Sequence, residues 1–168
     1  MENRQYPSLN AVQCSNCGSK NYRIIGTKGS MGKAIGSAMF GAIGALAASS
    51  NAKNDYELRP LQCKCKDCKA KFDAMPSAAA EDDILDTPCT ITLRRLSSFV
   101  GMAVVQQVFL NGIKVGNVKN NSELTFETNT KNNVIFVTDQ SGVAFCDPYV
   151  FTAQNGEVRT IDFKRKFV

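Results

Sequence analysis

Polar and apolar residues alternate along most of this chain with the period of a strand. "CTITLRRLS" (89–97) alternates through Ile91 and Leu93 and then breaks at its two arginines. "VVQQVFLNGIKVGNV" (104–118) reads as two strands around Asn111-Gly112, a two-residue hairpin signal. "SELTFETN" sets Leu124 and Phe126 against polar neighbours, and "NNVIFVTD" (132–139) is a continuous apolar run of the kind a central strand carries. "VAFCDPYVF" and "EVRTIDFKRKFV" complete the set. Six to eight short strands separated by Asn, Gly and Asp turns predict a small antiparallel β-sandwich over 88–168. Upstream, "NYRIIG" (21–26) and "DYELRPLQC" (55–63) predict short strands, each beside a pair of cysteines.

One stretch breaks the period. "GSMGKAIGSAMFGAIGALAASS" (29–50) has no charge from Ala34 to Ala52. On a helix, Met31, Ile35, Met39, Ile43 and Leu46 fall within about a third of a turn. Lys33, Ser37, Phe40 and Gly44 lie opposite. Gly32 and Gly36 have a close-packing spacing. Four glycines over 32–44 cost an isolated helix roughly 1 kcal/mol each relative to alanine. The segment is therefore expected to be helical on an external surface or else disordered.

The stretch 76–87, "PSAAAEDDILDT", is bounded by Pro76 and Pro88 and filled with small and acidic residues. Its composition is that of a linker, with room for a short helix over 78–85. The chain thus divides into 1–75, carrying the apolar insert at about 29–52, then the linker, then 88–168.

Charge follows the division. Residues 1–75 hold eleven Lys/Arg and five Asp/Glu, 11 − 5 = +6; residues 76–168 hold nine and ten, 9 − 10 = −1. The formal +5 belongs to the first part, which suits nucleic acid or an anionic lipid surface as well as a solvated face of lysines.

The chemistry lies in the cysteines. Cys14-Ser-Asn-Cys17-Gly18 has the spacing that lets two sulfurs reach one tetrahedral ion, followed by a glycine where the chain turns beneath it. Cys65-Lys-Asp-Cys68 repeats the spacing, and Phe72 stands where an aromatic packs beside such a site. The expected ligands are Cys14, Cys17, Cys65 and Cys68, holding a structural Zn²⁺, with iron as the other candidate. Cys63 is a packing residue of the incoming strand or an alternate ligand. A closed four-cysteine site leaves no position for water, so it folds the module and does no chemistry. Cys89 and Cys146 read as small core residues.

There is no histidine, the commonest general base, and Asp139, Asp147 and Asp162 are scattered. No enzyme is expected. The start, "MENRQYPSLNAVQC", lacks a basic segment followed by an apolar one. Seven cysteines then favour a reducing compartment. The expected location is the cytoplasm, including the cytoplasmic face of a membrane.

Knuckle, strand, strand, knuckle over 12–28 and 53–74 resembles a zinc ribbon. An apolar segment between two CxxC halves of one zinc site resembles the architecture of the LITAF-like domain, which implies monotopic membrane anchoring. "CKCKDC" departs from that family's HxCxxC by placing Cys63 at the histidine. "VFLNGIKVGNVKNNSELTFETNTKNNVIFV" (108–137) resembles PEGA-like β-sandwich modules, which implies a non-enzymatic accessory domain; "NTKNN" replaces that family's Pro-Gly turn.

A transmembrane crossing by the insert conflicts with a zinc site that needs Cys17 and Cys65 on one side. The expected function is a non-enzymatic zinc-binding adaptor or anchor. The metal would clamp the base of the insert, whose residues 31–48 would dock to a membrane surface or a protein partner, a second copy included. The alternative is a nucleic-acid-associated ribbon using Lys64, Lys66, Lys69 and Lys71 on phosphates, with Tyr22, Tyr56 and Phe72 as its aromatics.

Overall fold

A computed structural model describes residues 6–28, 60–99 and 101–164. The apolar insert, Tyr56 and the first part of the strand expected over 55–63 lie outside the described residues. Among those described, the chain is mainly β and holds no α-helix.

Among the described residues twelve strands form in order: β1 (Pro7–Ser8), β2 (Tyr22–Thr27), β3 (Leu61–Cys65), β4 (Lys71–Ala74), β5 (Ser77–Ala78), β6 (Ile84–Arg95), β7 (Gln106–Leu110), β8 (Ile113–Val118), β9 (Ser122–Thr130), β10 (Asn132–Thr138), β11 (Tyr149–Thr152) and β12 (Val158–Phe163). They make a four-stranded sheet β11-β10-β7-β8, two three-stranded sheets, β12-β6-β9 and β2-β3-β4, and the short pair β1-β5.

The hairpin forms where Asn111-Gly112 predicts it. Both residues have positive φ, 49° and 88°. That is the backbone of the turn whose twist matches two paired strands. Gly112 is required twice, because a Cβ there would also lie 2.3 Å from Cγ of Pro76. Asn111 does more than turn the chain. Its buried amide donates to Thr130 Oγ1 and Asn133 Oδ1, both at 3.1 Å, and its Oδ1 accepts from Val134 N at 2.8 Å. The turn is thereby tied to β10.

The β-sandwich is built from the four-stranded sheet and β12-β6-β9, packed through Ile91, Leu93, Val108, Ile135, Val137 and Phe163. One pairing departs from the antiparallel expectation: β12 runs parallel to β6, Ile161 opposite Leu93. It follows β11 of the other sheet, so no hairpin dictates its direction.

The second core explains the continuous apolar runs. Phe109 of β7 and Phe136 of β10 point away from the sandwich interior. They are paired in register, their rings stacked with centroids 4.9 Å apart, and are fully buried against Leu9, Val12, Ile24, Leu61 and Cys63. The ribbon β2-β3-β4 therefore forms a third layer on the four-stranded sheet. A strand covered on both faces cannot alternate with polar residues. Backbone bonds join the layers at one edge, where Thr27 N donates to Gly142 O at 2.8 Å and Ala144 N to Ile25 O at 3.2 Å.

The stretch expected as a linker is built into the fold. It carries β5, a 3-10 turn over Glu81–Asp83 and the start of β6. Buried Asp83 accepts from Asn132 N at 3.0 Å, Asn132 Nδ2 at 2.7 Å and Asn10 Nδ2 at 3.2 Å. Small and acidic residues read alike in a solvated linker and in a turn whose acid is fully engaged.

The break expected at the arginines is half a break. Arg94 faces out and pairs with Asp162, while Arg95 continues the inward series Cys89, Ile91, Leu93 and is buried.

Candidate metal centre

The centre sits where two turns built alike meet. In the first, Cys14 N donates to Ser19 O at 2.8 Å; in the second, Cys65 N donates to Ala70 O at 2.9 Å. Both bonds span five residues. The residue after the second cysteine has positive φ in each: Gly18 at 70° and Lys69 at 64°. Glycine reaches that region without strain, whereas a lysine there costs about 1 kcal/mol. Lys69 Nζ donates to Lys66 O, closing its turn.

The two turns face each other with their sulfurs converging. The Sγ atoms of Cys14, Cys17, Cys65 and Cys68 all lie within 4.8 Å of one another. Cys14 and Cys68 are 3.6 Å apart, and Cys17 and Cys65 are 3.7 Å apart. A tetrahedral ion with sulfurs at about 2.3 Å sets its ligands about 3.8 Å apart, so these residues fit a metal ion bound by four thiolates. Cys14 and Cys65 are buried, and Cys17 and Cys68 are exposed.

Electrostatics fits the same use. The Ala70 amide, with the Asn16 side chain, pulls the Cys68 thiol down to about 6. The Ser19 amide acts on Cys17 in the same sense but is outweighed. Hydrogen bonds with the other three sulfurs, Cys68 foremost, and desolvation push Cys17 up to about 12. Four sulfurs this close cannot all ionise without a cation between them, and a divalent metal removes the conflict.

Asp67 links the turns from outside: Ser19 Oγ donates to its Oδ2 and Asn21 Nδ2 to its Oδ1 at 2.8 Å. These bonds, Ser19 first, hold its carboxyl below the usual range.

The structure separates Cys63 from the four. It lies on β3 between Leu61 and Cys65, fully buried, and pairs across the sheet with Ile24 and Phe72. Burial pushes its thiol up to about 12. It belongs to the second core, with Phe109 and Phe136. Phe72 packs edge-on against Tyr22, centroids 5.9 Å apart, next to the centre. Cys89 is a fully buried core residue, and Cys146 packs against the same core.

The centre is not at the base of the insert. It occupies the Tyr22–Cys65 end of the β2-β3 ladder, whereas the segment 29–59 leaves from the Thr27–Leu61 end. About five residues of strand separate the two, roughly 15 Å. The base itself is closed by Lys28 N donating to Pro60 O at 2.8 Å and by an ion pair from Lys28 to Asp73 at 2.9 Å. A metal held by the four cysteines would clamp the hairpin from its far end.

Two features escaped the sequence reading. Arg23, Lys64 and Lys71 stand side by side on β2, β3 and β4, on the ribbon face turned away from the sandwich. Register alone makes this row; in the sequence Arg23 lies far from Lys64, on the other side of the insert. The other is an apolar loop after Arg95, with Phe99 94% exposed. The scattered acids do not come together: Asp162 is held by Arg94, and Asp139 caps its own turn through Ser141 and Val143.

Among the described residues, no helix is long and apolar enough to cross a membrane. No protein-family model, curated protein or solved structure matches the chain.

Proposed function

We propose that this chain is a non-enzymatic adaptor that holds one structural Zn²⁺ in Cys14, Cys17, Cys65 and Cys68 and uses its ribbon to present the apolar segment 31–48 to a membrane surface. The observation that carries the reading is the construction of the ribbon. One hairpin, β2-β3, is clamped at one end by four converging cysteines. At the other end it is closed by the Lys28–Pro60 bond, from which a segment without charge between Ala34 and Ala52 departs and returns. Both ends of that segment lie on one side, which suits an element that enters and leaves a surface on the same face. Four thiolates with no histidine or carboxylate form a donor set that suits Zn²⁺, with iron as the other ion it accommodates.

Vesicle flotation tests this. Zinc-loaded protein is compared with a variant whose residues 31–50 are replaced by a short Gly/Ser loop. The intact protein floats with neutral and anionic vesicles, and the variant loses the binding to neutral vesicles. Equal flotation of both proteins on neutral vesicles contradicts the reading.

The cationic row supports a second reading, a ribbon that binds nucleic acid. Like charges opposite one another on a sheet destabilise it, so Arg23, Lys64 and Lys71 in register are costly unless an anion covers them. Lys66 and Lys69 stand on the adjoining turn. This reading predicts affinity for single- or double-stranded nucleic acid that falls steeply with salt. It also predicts loss of that affinity in Lys64→Gln/Lys71→Gln with 31–50 intact.

A further inference from the structure

We propose that the loop between β6 and β7 is a second membrane-contact element, one that sets Phe99 and Met102 into an anionic lipid surface. Phe99 is 94% and Met102 57% exposed, and Leu96 and Val104 beside them are exposed as well. Single apolar residues at a surface need no explanation, but four on one loop form a patch. The backbone that carries them is held in place. Arg95, buried at the end of β6, donates from Nη1 to Val104 O at 2.6 Å and from Nη2 to Gly101 O at 2.7 Å. Ser98 N donates to Asn120 Oδ1 at 3.0 Å. Phe145 lies against the Arg95 guanidinium, 5.9 Å from its ring centre. Burying a guanidinium to satisfy loop carbonyls rather than a carboxylate is expensive. It is an investment in the loop's shape, and that shape turns the apolar groups outward.

The surroundings of the loop are cationic. β12 runs parallel to β6 and ends beside it, Leu96 N donating to Phe163 O at 2.9 Å, so exposed Lys164 stands at this end. Val118 pairs with Gln106 at the start of β7, which places exposed Lys119 here too. The acids at this end are Asp162 and Glu123, which both face Arg94, and Asp139, which is held by the hydroxyl and amides of its own turn. An apolar tip fringed by cations complements an anionic bilayer, which attracts each lysine and accepts the tip. A protein interface is the poorer fit, since four exposed side chains on one loop fall well short of the roughly 800 Å² per partner that stable association needs.

The proposal shares the lipid with the anchoring reading but rests on different residues. The chain contains no tryptophan, so Phe99→Trp supplies a single reporter at the tip. Full-length zinc-loaded Phe99→Trp is titrated with phosphatidylcholine vesicles with and without phosphatidylserine. The same is done in the background with 31–50 replaced. The expected result in both backgrounds is a blue shift of emission that requires phosphatidylserine and is quenched by brominated acyl chains. In parallel, Phe99→Ser/Met102→Ser lowers partition to those vesicles about tenfold. Unchanged tryptophan emission from Phe99→Trp while the protein co-sediments with vesicles overturns the proposal and leaves the insert as sole anchor. A blue shift that grows with protein concentration without lipid overturns it in favour of self-association. Failure of every variant to bind vesicles overturns both readings.

Discussion

Truncating Phe136 to alanine tests whether the ribbon and the sandwich form one cooperative unit. The side chain is fully buried and stacked on Phe109, and its outward face meets Leu61 and Cys63 of the ribbon. A buried phenylalanine truncated to alanine costs about 3–5 kcal/mol, from lost transfer energy and the cavity left behind. Against a domain stability of about 5–15 kcal/mol, this is a large share. Phe136→Leu, which fills most of the space, should lose roughly 1 kcal/mol. The assay is urea unfolding of metal-loaded protein, followed by far-UV circular dichroism and by release of zinc to a chromogenic chelator. Both signals should move together to lower urea with unchanged slope, because one core serves the strands that report each. Leu61→Ala on the facing layer should couple to Phe136→Ala by at least about 0.5 kcal/mol in a double-mutant cycle. Zinc release that stays at the wild-type midpoint while the sandwich melts early would refute the shared core, as would strict additivity of the two truncations.

Other perturbations probe single features. Gly18→Ala puts a Cβ into open space, so only its positive φ resists, and stability of the loaded protein should fall by about 1 kcal/mol. Lys69→Gly at the equivalent position should be neutral within about 1 kcal/mol, because relief of the same strain offsets the added freedom of the unfolded chain. Both are read from thermal melts. Asn111→Ala should cost about 3 kcal/mol by chemical denaturation, since it leaves buried partners unpaired and keeps the left-handed turn. Asp139→Asn should be less stable than the parent at neutral pH. The carboxyl of Asp139, lowered by the Ser141 hydroxyl first and then by Val143, Ser141 and Gly142 amides, contributes stability above its ordinary 3.8. That contribution is lost as pH falls through its lowered value. The two proteins should therefore converge in stability at acid pH, and a gap that widens there contradicts the assignment. A thiol reagent added to loaded, native protein should find at most Cys146 accessible, and should gain the exposed thiols of Cys17 and Cys68, Cys68 reacting first, once a chelator removes the metal.

Much of this was written in the sequence where a local rule sufficed. The two CxxC spacings pick out the four cysteines that converge because the turn that brings two sulfurs to one point is made within about five residues. Asn111-Gly112 names its hairpin for the same reason. What stayed hidden depends on pairing across the chain. The alternation through Ile91 and Leu93 stops being legible at Arg95, because nothing local says that a cation will be buried to hold a loop it precedes. The apolar run over 132–139 was legible as a central strand, but the layer covering its second face comes from residues 9–24 and 61–72. The row of Arg23, Lys64 and Lys71 exists only in the register of three strands. The position of the four cysteines relative to the insert was likewise invisible, since spacing gives the loop's length and not the end of the ladder it leaves from.

The most direct test of the account is X-ray absorption at the zinc edge, with metal stoichiometry from native mass spectrometry, on the wild type, Cys63→Ala and Cys65→Ala. The account predicts one zinc per chain with four sulfurs at about 2.3 Å in wild type and in Cys63→Ala, and loss of the four-sulfur shell in Cys65→Ala. A zinc shell with oxygen or nitrogen in the wild type would contradict it. So would a metal that survives Cys65→Ala intact and is lost with Cys63→Ala.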